Sequence, residues 1–217
     1  MIKIGPSIIA GDFSKLKENL KKAEKSKVDF LHVDIMDGVF VKNITFGPMI
    51  VEAISKLTKI PLYVHLMIVE PLRYIKEFSE IKGVELISFH YEATEKVSKT
   101  IKEIKKNNKK TGIAINPETP WEYIKKFLKS VDEVLVMSVH PGFSGQKFIS
   151  HVLGKIEKLK EYKLKNKLNF EIAVDGGLNK ETIPIALKSG AETLCIGSYF
   201  FKDKKSANFL NSIKNVR

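Results

Sequence analysis

Eight short apolar, β-branched runs recur along the chain: Lys3–Ile9, Phe30–Met36, Leu62–Met67, Leu86–His90, Gly112–Asn116, Val134–Val139, Phe170–Val174 and Thr193–Gly197. Between them lie segments whose apolar residues repeat at helical spacing, as in FSKLKENLKKAEKS and HVLGKIEKLKEYK. Side chains alternate faces along a strand and return to one face every three to four residues along a helix. Runs of this kind spaced roughly 20–30 residues apart, with helices between, read as βα units feeding a parallel sheet. Several runs are almost wholly apolar, as expected for strands covered on both faces.

Eight such units in 217 residues predict an α/β protein, a single (β/α)8 TIM barrel forming one catalytic domain over residues 1–217. The competing arrangement is an open doubly wound sheet, which often carries a G-x-G-x-x-G turn after its first strand. Here the first run leads into AGDFSKL, which lacks that turn. No Pro/Gly/Ser-rich linker divides the chain.

Composition narrows the function classes. Hydrophobic residues make up 43% and charged residues 29%, the balance of an ordinary globular protein. Net charge is +12, which raises nucleic acid, membrane surface and anionic small molecules as partners. The lysines are interleaved with glutamates, as in KLKENLKKAEKSK, and read as solvated helix faces rather than a nucleic-acid groove. No apolar run is long enough for a membrane span. The opening MIKIGPSIIAGDF enters a strand at once and has no secretory h-region. The lone cysteine, Cys195, has no partner for an internal disulfide, so a cytoplasmic location is expected.

Against that background FLHVDIMDG, residues 30–38, stands out. His32, Asp34 and Met36 share one strand face, and Leu31, Val33 and Ile35 the other. In a barrel the second set packs under helices and the first points inward, at the strand end where barrel active sites lie. One such pair could be a hydrogen-bonded structural pair. The same pattern recurs, however: PLYVHLM places His65 and Met67 on one face, and EIAVDGG ends with Asp175. Two imidazoles and two carboxylates at three strand ends form a nest for a divalent metal such as zinc, manganese or iron. A second group suits phosphate. HPGFSGQKF follows the sixth run, VDGGLNK the seventh and CIGSYF ends the eighth. Glycines let backbone N–H groups approach an anion, although ordinary tight turns use them too. Met36, Met67 and Met137 read first as core filler and, together at one rim, as a shield for a reactive intermediate. Cys195 and Trp121 read as packing, and His140 and His151 carry no chemistry. His90, ending LISFH, is expected near the pocket.

The motifs PSIIAGDF, HVDIMDGVFVKN, VHLM, FHYEA, NPETP, MSVHPGFSGQ and VDGGLN, in this order from Pro6 to about Phe200, resemble the successive signatures of ribulose-phosphate 3-epimerases. The resemblance implies a metal-dependent isomerase on a (β/α)8 barrel. It would interconvert D-ribulose 5-phosphate and D-xylulose 5-phosphate in the pentose phosphate pathway. It implies one divalent ion (Zn, Mn, Co or Fe) held by His32, Asp34, His65 and Asp175, with Asp34 and Asp175 as the acid/base pair. Ser7, His65, Gly142, Phe143, Ser144, Gly145, Gly176, Gly177, Gly197 and Ser198 match substrate and phosphate contacts. Met36, Met67 and Met137 match an apolar lid. Self-association as a homo-oligomer, a dimer or hexamer, is implied as well. Two positions depart from the pattern: Lys42 stands where proline is usual and Ser144 where glycine is commonest.

Two related readings compete. An allulose 6-phosphate 3-epimerase would share the metal and the two acids. Barrel decarboxylases and aldol-type synthases resemble an Asp-x-Lys-x-x-Asp pattern, and DIMDG places Met36 where that lysine would stand. A non-catalytic basic binding module would need neither aspartate.

Overall fold

The computed structural model describes residues 2–203 and 206–214. Its eight strands are β1 (Lys3–Pro6), β2 (Leu31–Met36), β3 (Leu62–Met67), β4 (Val84–His90), β5 (Lys110–Ile115), β6 (Glu133–Met137), β7 (Glu171–Asp175) and β8 (Thr193–Ile196). Helices α1 (Leu16–Lys25), α2 (Pro48–Leu57), α3 (Ile75–Ser79) and α4 (Val97–Lys106) follow the first four strands. A 3₁₀ helix, Trp121–Ser130, follows β5. The remaining helices are α5 (Val152–Lys165), α6 (Thr182–Ser189), α7 (Ser198–Lys202) and α8 (Ser206–Lys214). All seven strand ladders are parallel, in the order β1-β8-β7-β6-β5-β4-β3-β2. A parallel bridge between Ser7 and His32 joins the two ends. The expected (β/α)8 barrel is therefore the fold.

Alternation sorts each strand into two faces. Leu31, Val33 and Ile35 pack with Val64, Val136 and Val174 against helix residues such as Ile54, Ile104, Ile156 and Ile183. The opposite face fills the barrel with Phe30, Tyr63, Leu135, Ala173 and Cys195. Burying a large apolar side chain in either layer contributes about 1.5–3 kcal/mol. Phe30 and Tyr63 stack with ring centroids 4.2 Å apart. Gly5 makes room for them, since a Cβ there would lie 2.2 Å from the Phe30 ring.

Strand boundaries differ from the apolar runs where charge or turning intervenes. β1 stops at Pro6, not Ile9, because Ala10 N–H donates to Ser7 O (3.2 Å) and Gly11 N–H to Ile8 O (2.9 Å). Those bonds curl residues 8–10 into a 3₁₀ turn. β4 and β5 begin earlier than expected, at Val84 and Lys110. Glu85 and Lys110 are exposed strand residues that hydropathy alone reads as loop. β6 stops at Met137, where the chain opens into the glycine-rich loop. The first helix begins at Leu16 rather than Phe13, behind a 3₁₀ turn at Phe13–Lys15. Asp12 caps that turn by accepting from Ser14 N–H at 3.0 Å. Among the described residues no helix is long and apolar enough to cross a membrane.

Candidate active site

At the C-terminal rim the inward faces of β2, β3 and β7 bring His32, Asp34, His65 and Asp175 together. One ligand atom from each lies within 4.8 Å of all the others. The register explains it: Asp34 pairs with His65 across the β2–β3 ladder, so the two side chains emerge side by side. Asp34 Oδ1 lies 3.0 Å from His65 Nδ1 and 3.1 Å from His32 Nε2. Asp175 Oδ2 lies 3.5 Å from His32 Nε2 and 3.9 Å from His65 Nδ1. The two ring nitrogens face each other at 3.3 Å. Ligands about 2.0–2.2 Å from a tetrahedral ion stand roughly 3.4 Å apart, close to the observed separations. The donor set, two imidazoles and two carboxylates, thus fits one divalent cation.

Hydrogen bonds fix the carboxylates. Ser7 Oγ donates to Asp34 Oδ2 at 2.5 Å. Thr45 Oγ1 donates to the Asp34 carbonyl (2.7 Å) and accepts from Met36 N–H (3.0 Å), holding the end of β2. Ser138 Oγ donates to the carbonyls of Asp175 (2.9 Å) and Gly176 (2.7 Å), holding the end of β7. Neither Thr45 nor Ser138 is singled out by the sequence, because a hydroxyl serving backbone carbonyls carries no motif.

Electrostatics follow from this crowding. Burial acts to raise the Asp34 carboxyl, but His32 and His65 outweigh it and hold it well below the usual carboxylate range. Burial works against protonating His32, yet the Asp34 and Asp175 carboxylates beside its Nε2 keep it well above its ordinary value. Burial, helped by His90 and His32, lowers His65 to about 4 despite Asp34, so this imidazole is neutral at pH 7. Burial pushes the Cys195 thiol up to about 12, so it fills the barrel as a neutral group.

A cavity of about 970 Å³ opens onto this layer, with Asp34 and Asp175 in its wall. Ser7, Met36, Met67 and Met137 line it close to the carboxylates. Gly142, Phe143, Ser144 and Gly145 form one side; Gly176, Gly177, Gly197 and Ser198 form another. His32 and His65, 2% and 0% exposed, sit beneath and do not line it. The four expected ligands thus lie together at one rim with the cavity-lining residues above them, while His65, expected also to contact substrate, is in the layer beneath the cavity. The glycines at 176 and 177 are needed there. Their φ angles are +116° and +62°, and a Cβ would lie 2.4 Å from Val139 and from the Phe148 backbone, respectively. Asn43 Nδ2 donates to Gly142 O at 2.7 Å, tying the loop after β2 to the loop after β6. Ser144 and Lys42, the two departures, are both exposed. His90 does not reach the cavity: it is fully buried behind His65.

The sequence of residues 3–201 matches the profile of the Ribulose-phosphate 3 epimerase family. A ribulose-phosphate 3-epimerase of Bacillus subtilis (strain 168) is 47% identical over 210 residues, 95% of this chain and 96% of the relative. One from Methanocaldococcus jannaschii is 46% identical over 219 residues, covering 100% of this chain and 90% of the relative. Among solved structures, a mutant tryptophan synthase alpha-subunit from Pyrococcus furiosus superposes with a TM-score of 0.69. It is 16% identical, covering 98% of this chain and 97% of that one, a likeness of fold alone.

Proposed function

Because the chain belongs to the Ribulose-phosphate 3 epimerase family, it is an isomerase, and we propose that residues 1–217 act as one catalytic domain interconverting D-ribulose 5-phosphate and D-xylulose 5-phosphate. The observation that carries this reading is the pair of carboxylates, Asp34 and Asp175, brought with two imidazoles into one layer at the floor of the cavity.

Inverting a carbon beside a ketone requires removing its proton and returning one to the opposite face. A single base tends to hand the proton back where it came from. Two carboxylates on opposite sides of the sugar divide the work: one accepts the C3 proton and the other donates. Asp34, held as an anion by its imidazole neighbours, is suited to accepting. Asp175, more exposed at 13% of its side chain, is suited to reaching the other face. Ser7 orients Asp34 through its short hydrogen bond.

His32, Asp34, His65 and Asp175 would hold one divalent ion (Zn, Mn, Co or Fe), which when bound supplies Lewis-acid stabilisation of negative charge on substrate oxygen. The imidazoles supply two of those ligands without adding negative charge. At the far end, Gly142–Gly145, Gly176 and Gly177 offer backbone N–H groups to the phosphate. So do Gly197 and Ser198, at the start of α7, where helical N–H groups lack intrahelical acceptors. Anchoring that end turns remote binding energy into orientation at C3. Met36, Met67 and Met137 present apolar surface beside the reacting carbons and exclude water from them. Exposed Val39, Ile44 and Met49 around the β2–α2 connection support self-association as a homo-oligomer. The place of this reaction is the pentose phosphate pathway of the cytoplasm.

The test is a coupled assay on metal-stripped protein, restored metal by metal, with five- and six-carbon ketose phosphates in parallel. Turnover of ribulose 5-phosphate that returns with metal supports the reading. Activity only on allulose 6-phosphate, or undiminished activity without metal, overturns it.

A further inference from the structure

Away from the cavity, His65 continues into a second line of polar groups. His65 Nε2 lies 3.0 Å from His90 Nε2, and His90 Nδ1 lies 3.2 Å from Glu92 Oε2. Both imidazoles are 0% exposed and stack at 5.0 Å, with Phe40 covering His90. Glu92 is itself held, its Oε1 accepting from Asn116 N–H at 2.8 Å and from the Thr119 hydroxyl.

The direction of these bonds is dictated from the Glu92 end. An ionised carboxylate only accepts, so His90 presents N–H at Nδ1. A neutral imidazole with its proton on Nδ1 has a bare Nε2, which accepts. With an ion held in the site in place of the Asp34–His65 hydrogen bond, His65 must then donate from Nε2, which leaves the lone pair on its Nδ1. That atom is the one facing Asp34, His32 and Asp175. The opposite proton order would aim an N–H into the donor set and block ligation. We propose that His90 and Glu92 are positioning residues that lock His65 in the metal-ligating tautomer. This deepens the reading of His65 as a ligand and rests on it. A buried partner of a ligating histidine typically tunes metal affinity by 10–100-fold.

The experiment measures Zn²⁺ affinity of the full chain by chelator competition, with nitrogen-15 NMR of the histidines in the zinc-loaded protein. The unsubstituted chain should show His90 protonated on Nδ1. His90→Phe, which keeps ring shape but loses the acceptor, and Glu92→Gln, whose amide can donate as well as accept, should each weaken Zn²⁺ binding about 10–100-fold. Should His90→Phe fail to fold, Glu92→Gln decides. Zn²⁺ affinities within about twofold of the unsubstituted chain, or a His90 proton on Nε2, overturn the proposal. A purely structural role would lower thermal stability and leave the affinity of the folded protein unchanged. If the unsubstituted chain binds Zn²⁺ no better than His65→Ala, the ligand reading falls as well. If it binds well and only the His90 and Glu92 variants match it, the proposal alone falls.

Discussion

The two ends of the barrel interior handle buried charge in opposite ways. At the C-terminal rim four ionisable groups sit within 4.8 Å of one another, and each carboxylate faces imidazole nitrogens. At the N-terminal end Glu133, 3% exposed at the start of β6, has an oxygen, Oε2, with no hydrogen-bond partner among the described residues. Lys3, a nearby cation, is already bonded to Glu171. Burial, with Glu171 and Asp175 adding to it and His32 and Lys3 opposing, pushes Glu133 up to about 7. The rim keeps Asp34 charged because its imidazole neighbours favour the anion. The lower end holds its acid toward the protonated form because it is buried and its Oε2 has no partner among the described residues. Buried charge is retained where imidazoles face it and suppressed where a carboxyl oxygen lacks a partner.

The sharpest way to break this contrast is at the rim. Asp34→Asn and Asp175→Asn should each lower epimerase turnover by about 10²–10⁴-fold, measured in the coupled assay. Thermal melting should show the barrel intact. Near-normal turnover in either variant would end the two-carboxylate account. The next largest effect is expected one layer lower. Gly5→Ala drives a methyl into the Phe30 ring and should destabilise by about 1–3 kcal/mol, read from urea denaturation. Activity per folded molecule should be retained, since the Phe30 ring lies below the layer of His32, Asp34, His65 and Asp175.

Glu133→Gln tests the lower end directly. Between the ordinary carboxyl value of 4.5 and about 7, folded Glu133 holds its proton while the unfolded chain loses it. The native state then binds more protons, so stability contributed by this group falls as pH rises through that window. The variant removes the slope. The stability difference, variant minus unsubstituted chain, should be near zero below pH 4.5 and grow to about 3 kcal/mol above pH 7. A flat difference across that range would show that Glu133 is not held neutral. The smallest expected effect is Ser7→Ala, which removes the hydroxyl donated to Asp34. A loss of about 1–2 kcal/mol predicts roughly a tenfold fall in turnover without a fold defect. Unchanged turnover would mean Asp34 needs no such orientation.

Much of the rim was legible in the chain because strand parity is a local property. His32 and Asp34 are two residues apart and must share a face. His65 and Asp175 each occupy the inward position at a strand end. The misreadings have local causes too. β4 and β5 begin among charged residues, Glu85 and Lys110, whose side chains face water while their backbones still pair. β1 ends early because its backbone bonds turn inward on residues 7–11. The sequence puts His90 at the end of its strand but does not reveal that its neighbour is His65. Whether an inward imidazole meets the cavity or the back of another ring depends on the tilt and register of the adjacent strand.

Period and spacing along the chain determined that there would be eight βα units, which face of each strand turns inward, and which residue types stand at the rim. These follow from backbone geometry repeating every two or 3.6 residues. Only the closed barrel decided which atoms meet: His65 Nδ1 toward the carboxylates, its Nε2 toward His90, and Glu133 Oε2 below without a partner among the described residues. Those contacts join positions distant in sequence through strand register and barrel closure, which no local pattern encodes.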